Sequence, residues 1–174
     1  EYIDYECKKY RMNSNDTLKL CFVGRLEKVK GCEYLIEALS NIKDRKIICD
    51  IYGDGSQKSF LQEKINENQL ESRVFLKGFA KDIRKKLTSY DVLVMPSLYE
   101  SSPLIIPEAM NAKTVLICSN VGGFPELIED RRNGYLFENG NVNQLTQIIE
   151  EIIDFPKRQI RIAENAFDDF KKNY

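Results

Sequence analysis

Short runs of aliphatic and β-branched residues alternate along this chain with longer segments whose apolar positions recur every three or four residues. The apolar runs are LKLCFVG (18–24), KIICDIYG (46–53), RVFLKG (73–78), DVLVMPS (91–97) and TVLICSN (114–120). Each has the length and composition of a strand. The first helical segment places Leu35, Ile36, Leu39 and Ile42 on one face, and further helices are expected over roughly 56–68, 81–90 and 104–111. Strands this apolar and this brief, each followed by a helix, predict a parallel sheet covered on both faces. The fold class is therefore α/β, a Rossmann-like doubly wound sheet.

The two ends of the chain depart from that rhythm. Residues 1–17, EYIDYECKKYRMNSNDT, are polar, aromatic and aperiodic, and read as an interdomain linker. Beyond the last strand, Val142, Leu145, Ile148, Ile149, Ile152 and Ile153 fall at helical spacing, and Pro156 then opens a charged helix that runs to Tyr174. This divides the chain into a linker (1–17), a sheet domain (18–155) and a C-terminal helix (156–174). Internal repeats and low-complexity segments are absent.

Composition narrows the chemistry. With 43% hydrophobic and 30% charged residues and a net charge of −1, the chain can bury one sizeable core and has no excess of basic residues for a phosphate backbone. A nucleic-acid partner is not expected, and the small clusters KKYR and IRKK read as solvated surface. The five cysteines (7, 21, 32, 49 and 118) form no C-x-x-C pair and lie largely in apolar runs, as reduced core residues of a cytoplasmic protein do. No signal peptide or long apolar span is present. The lack of histidine removes Ser-His-Asp, Cys-His and most zinc chemistry.

Doubly wound sheets bind ligands at the C-terminal ends of their strands, which directs attention to four loops. In GRLEKVKG, Gly24 and Gly31 bracket Arg25, Lys28 and Lys30 just before a helix: a diphosphate clamp, or a glycine-bounded turn with solvated lysines. YGDGSQ places Gly53 and Gly55 in a tight turn but lacks the third glycine of a nicotinamide dinucleotide fingerprint. In KGFAKD (77–82), main-chain groups at Gly78 and Phe79 can read the edge of a base. The fourth loop, LYESSPLIIPEAMNAKT (98–114), carries Glu100, Glu108, Pro103 and Pro107. Pro107 must occupy the first turn of its helix, which leaves amides from Leu104 to Ile106 as an anion site. Glu108 would be repelled by a phosphate, so it suits a neutral polyol such as a pair of ribose hydroxyls, or else serves only the helix dipole. Glu100 faces whatever lies beyond the phosphates, or is an exposed loop acid.

Taken together, GRLEKVKG, IYGDGSQ, RVFLKGF, DVLVMPSLYESSPLIIPEAM and VGGFPELIEDRRNGYLF resemble, in order and spacing over residues 18–153, the C-terminal domain of the group 1 glycosyltransferases, which are retaining enzymes of two Rossmann domains. The resemblance implies a nucleotide-diphosphate-sugar donor. No D-x-D triplet occurs, and Arg25, Lys30 and the helix start near Leu104 supply positive charge, so neither a metal nor any other cofactor is expected. Gly24, Arg25 and Lys30 would lie on the diphosphate, Glu108 on the ribose and Glu100 on the transferred sugar as the catalytic group. Main chain at Ser101, Ser102, Leu104 and Ile105 would cap the distal phosphate, with Gly53, Gly78 and Phe79 completing the donor site. Pro103 stands where many relatives have glycine, removing one amide donor, and Glu126 is read as structural.

The resemblance also implies a missing N-terminal domain that carries the acceptor, a glycan or lipid-linked glycan, and to which the C-terminal helix crosses back. A role in bacterial surface polysaccharide such as lipopolysaccharide, with cytoplasmic location and room for peripheral association at the inner face of the membrane, belongs to the same family-level expectation. The alternatives are a nucleotide-sugar epimerase domain and a noncatalytic nucleotide-sugar-binding module. A receiver-like signalling domain fits poorly, because the strand DVLVMPS ends in Met95 and Pro96 rather than an aspartate.

Overall fold

The computed structural model describes residues 16–101 and 103–174, so most of the expected linker and Ser102 lie outside the described residues. Strands β1 (Leu18–Val23), β2 (Ile47–Tyr52), β3 (Val74–Gly78), β4 (Val92–Met95), β5 (Val115–Ser119) and β6 (Tyr135–Phe137) form one parallel sheet in the order β3-β2-β1-β4-β5-β6. The helices are α1 (Cys32–Asn41), α2 (Lys58–Glu67), α3 (Ile83–Leu87), α4 (Ile105–Asn111), α5 (Phe124–Leu127), α6 (Val142–Asp154) and α7 (Pro156–Asn173). The five predicted strands form within a residue or two of their expected ends. Strand β6 and helix α5 were not anticipated, and the helix expected over 81–90 is shortened to the five residues of α3.

The central strands β4 and β5 are buried at every position, because helices cover both faces and the side chains have no water to alternate toward. On one face α1, α2 and α6 cover Leu20, Phe22, Ile51 and Ile117. The opposite face is filled from α3, α4 and α5, which pack Leu87, Ile106, Ala109 and Phe124 on Cys21, Leu93 and Leu116. Helix α7 joins the two layers: Ile162 and Ala163 belong to the first, Ala166 and Phe170 to the second, and its contacts run along α4, α6 and β5.

Side-chain ties fix the C-terminal half. Asn141 caps α6 by accepting from the Gln144 amide at 3.0 Å, supplying a partner for one otherwise open helical donor. Arg132 and Asn133 both bind Asp169 of α7, at 2.5 and 2.7 Å. Cys21, Cys32, Cys49 and Cys118 are buried outside any disulfide, as the reduced-core reading expects, and burial pushes the Cys32, Cys49 and Cys118 thiols up, away from the reactive thiolate. Among the described residues, no helix is long and apolar enough to cross a membrane.

Candidate functional site

The sheet is wound outward from β1 to β3 and then returns to place β4 on the other side of β1. Where the order reverses, the loops leaving two adjacent strands run to opposite sides and open a crevice at their C-terminal ends. The loop after β1 brings Lys30 to this place, and the loop after β4 brings Glu100. Their side chains meet, Lys30 Nζ donating to Glu100 Oε2 at 2.6 Å, with 17% and 11% of the side chains exposed. Glu100 is thus a buried, paired carboxylate and not an exposed loop acid. The contact is charge-assisted and joins residues 70 positions apart.

The backbone around this pair is held by close approaches that only glycine allows. Gly31 has φ +63°, and a Cβ there would sit 2.0 Å from the Pro96 carbonyl oxygen, so the β1 loop lies directly on the end of β4. Gly122, at φ +51°, would put a Cβ 1.7 Å from the carbonyl oxygen of Glu100, while the Gly123 amide donates to that same oxygen at 3.1 Å. The Leu98 amide donates to the Val29 carbonyl at 2.8 Å. Three loops, after β1, β4 and β5, therefore fix the backbone from which Glu100 projects.

The remaining predicted residues of the clamp side gather at the same edge. Arg25 is exposed and forms no ion pair among the described residues. The Gly24 amide continues the sheet by donating to Tyr52 at 3.0 Å, and the Gly53 amide donates to Gly78 at 2.9 Å, which joins the loops after β1, β2 and β3. Gly53 itself makes a packing contact against Gly24. Phe79 is 82% exposed beside them. A group not foreseen from the sequence is Glu27. Its carboxylate accepts from the Ser56 hydroxyl at 2.6 Å and the Ser56 amide at 3.0 Å, tying the β2 loop to the loop after β1. Those hydrogen bonds, the hydroxyl's first, hold the Glu27 carboxyl below its ordinary value.

Helix α4 builds the other side. Pro107 falls in its first turn and is buried, as expected. The amide supply is smaller than the sequence suggests, because Ile106 N–H donates to the Pro103 carbonyl at 3.0 Å, a tight turn closed as the chain enters the helix. The Leu104 and Ile105 amides have no partner among the described residues, and the Leu104 side chain is 79% exposed. Ser101 is exposed on the same loop. Glu108 has 18% of its side chain exposed and accepts from Arg84 Nε of α3 at 2.7 Å through Oε1. Arg84 belongs to the IRKK cluster, which the sequence reading assigned to solvated surface. Glu126 lies apart from this site, exposed and lining a separate cleft with Arg132, Asp169 and Tyr174.

Residues 8–169 match the family described as glycosyl transferases group 1. The chain belongs to that family. It is 31% identical over 160 residues to the alpha-D-kanosaminyltransferase of Streptomyces kanamyceticus, an alignment covering 90% of this chain and 42% of the relative. Among solved structures it is similar to Anabaena Alr3699/HepE in complex with UDP, with a TM-score of 0.85 and 26% identity over 92% of this chain and 46% of that one. It is also similar to the C-terminal domain of the group 1 family protein LpcC from Francisella tularensis, with a TM-score of 0.83 and 27% identity over 90% of this chain and 86% of that one. The chain thus spans less than half the length of the full-length relatives it matches and has the fold of a C-terminal, Rossmann-like half of a GT-B glycosyltransferase.

Proposed function

We propose that this chain is the donor-binding part of a retaining glycosyltransferase, which transfers a hexose from a nucleotide-diphosphate sugar to a glycan or lipid-linked acceptor. The observation that carries the reading is the meeting of Lys30 and Glu100 across the switch point of the sheet. A cation and a carboxylate brought together there from two loops form one polar centre, and family membership supports giving it to a nucleotide sugar. It also disfavours the epimerase alternative.

The roles follow from charge. An incoming diphosphate competes with Glu100 for the Lys30 ammonium and gains Arg25, the exposed cation of the same loop. The Glu100 carboxylate, released from Lys30 but held by its backbone, then accepts from a hydroxyl of the transferred sugar. When the sugar–phosphate bond breaks, the electron pair stays on the departing diphosphate, and Lys30 and Arg25 stabilise the charge that grows there. The open amides of Leu104 and Ile105, with Ser101 and Ser102, cap the distal phosphate. Glu108 takes the ribose hydroxyls, and the edge at Gly78 and Phe79 lies under the base. With protein cations in these roles and no D-x-D triplet in the sequence, donor binding is metal-independent.

Acceptor and water-excluding wall are assigned to a second domain, toward which the end of α7 would run. Holding both substrates and excluding water supply much of the rate in such a reaction. This chain is therefore expected to bind donor and to transfer no sugar. A role in bacterial surface polysaccharide synthesis, at or near the inner face of the membrane, fits the same reading.

Calorimetry of the chain with a panel of UDP-, GDP- and ADP-sugars, beside a radiolabelled-donor transfer assay, tests the proposal. A dissociation constant in the micromolar to millimolar range, unchanged by EDTA, is expected for at least one donor. Absence of binding across the panel, a tenfold weakening on chelation, or turnover by this chain alone would overturn the corresponding part.

A further inference from the structure

We infer that Arg84 is a positioning residue for the donor's ribose, holding Glu108 in its working orientation from the neighbouring helix. The inference rests on the assignment of Glu108 to the ribose and adds a residue that lies outside the motifs carrying that assignment.

The geometry is asymmetric. Arg84 Nε reaches only Oε1 of Glu108, at 2.7 Å, and Oε2 has no partner among the described residues. Arg84 is the more exposed partner, 58% against 18% for Glu108, and it occupies one carboxylate oxygen alone. A carboxylate on a two-carbon stem would otherwise sample several rotamers, and each productive contact would have to repay that freedom. Tied at one oxygen, it has fewer rotamers open to it, and the second oxygen is left to accept.

Glu108 stands in the first turn of α4, which packs against α3. The neighbouring Lys85 is turned to Asp82 at 3.2 Å and Lys86 lies over the Tyr52 ring, so of the three adjacent cations only Arg84 is directed at the site.

The test compares UDP, GDP and ADP with their 2′,3′-dideoxy forms by calorimetry on the whole chain, using the tightest binder of the three. Arg84→Ala is expected to weaken the ribonucleotide about fivefold, the scale of one exposed charge-assisted contact, and the dideoxynucleotide less than twofold. Arg84→Lys should restore part of the loss. In a Glu108→Ala background, Arg84→Ala should cost nothing further, since its effect runs through that side chain. Equal losses for both nucleotides, no loss, or tighter binding by Arg84→Ala would overturn the positioning role. A Glu108→Gln variant that discriminates the two nucleotides while Arg84→Ala does not would sink this inference and leave the ribose assignment standing. One that fails to discriminate would remove the ribose assignment and this inference together.

Discussion

Glu100 and Glu108 lie on one loop-helix segment, both paired with a cation from another element, yet their surroundings differ. Glu100 projects from a backbone locked by Gly122 and Leu98, and its partner Lys30 is itself largely buried. Glu108 sits at a helix start, and its partner Arg84 is mostly in water. The inner pair exchanges hydration for one short contact in a low-dielectric setting, so removing either member leaves a charge that neither water nor protein stabilises well. The outer pair keeps much of its hydration and is screened by salt. The segment therefore separates two tasks: one carboxylate is fixed by the fold, the other is adjusted at the surface.

The comparison breaks most clearly at Lys30. Replacing it with alanine leaves Glu100 buried and uncompensated, and urea unfolding should show a loss of about 2–3 kcal/mol, below the full cost of a wholly buried pair because the crevice is open. Lys30→Met combined with Glu100→Gln should recover at least half of that stability. Nucleotide-sugar affinity should fall by about 1.5–3 kcal/mol in Lys30→Ala with nucleoside binding barely changed. A stable Lys30→Ala protein would mean that the inner pair is a surface pair in solution.

The next largest effect is expected at Gly122. A methyl group there meets the Glu100 carbonyl oxygen at 1.7 Å and adopts a left-handed backbone, whereas Gly140, at φ +73°, has nothing within 4 Å of a Cβ. Gly140→Ala measures the conformational penalty alone, about 1 kcal/mol, and Gly122→Ala should exceed it by another 1 kcal/mol or more through displacement of the Glu100 loop. Donor affinity should drop only in Gly122→Ala. Thermal unfolding and calorimetry on the two variants check both statements.

The strands were readable because their apolar runs have no other use in a soluble chain, and burial of β4 and β5 at every position is what such runs demand. Strand β6 was not readable: three residues behind Asn133 and Gly134 carry no period, and only pairing with β5 makes them a strand. Residues with charge or special backbone stand out in the loops, so Lys30, Glu100 and Glu108 could be nominated from motif and resemblance. Their partners could not. Nothing local connects Lys30 to Glu100, or Glu27 to Ser56, and Arg84 is indistinguishable in sequence from Lys85 and Lys86 until α3 packs against α4.

At the outer pair the expected effect on folding is small. Arg84→Ala should change unfolding free energy by less than about 0.5 kcal/mol at physiological salt, with any difference shrinking further as salt is raised. A loss as large as that of Lys30→Ala would erase the contrast between the two carboxylates.

The smallest effect is expected at Glu27, which sharpens the comparison because it is a third carboxylate, tied by hydrogen bonds instead of a cation. Its carboxyl is held below the ordinary value of 4.5, first by the Ser56 hydroxyl and then by the Ser56 amide. A group depressed in the folded protein contributes fully above its unfolded value and loses that contribution as pH falls through the folded one. The link between the β1 and β2 loops should therefore be intact at neutral pH and open only in the acid range below 4.5. Ser56→Ala removes the larger of the two causes, so NMR titration of the Glu27 carboxyl should move upward toward the ordinary value, with stability at neutral pH nearly unchanged because the contact is at the surface. An unchanged titration in Ser56→Ala would show that the loop is held by its backbone contacts alone, Leu26 amide to Asp54 and Gln57 amide to Leu26.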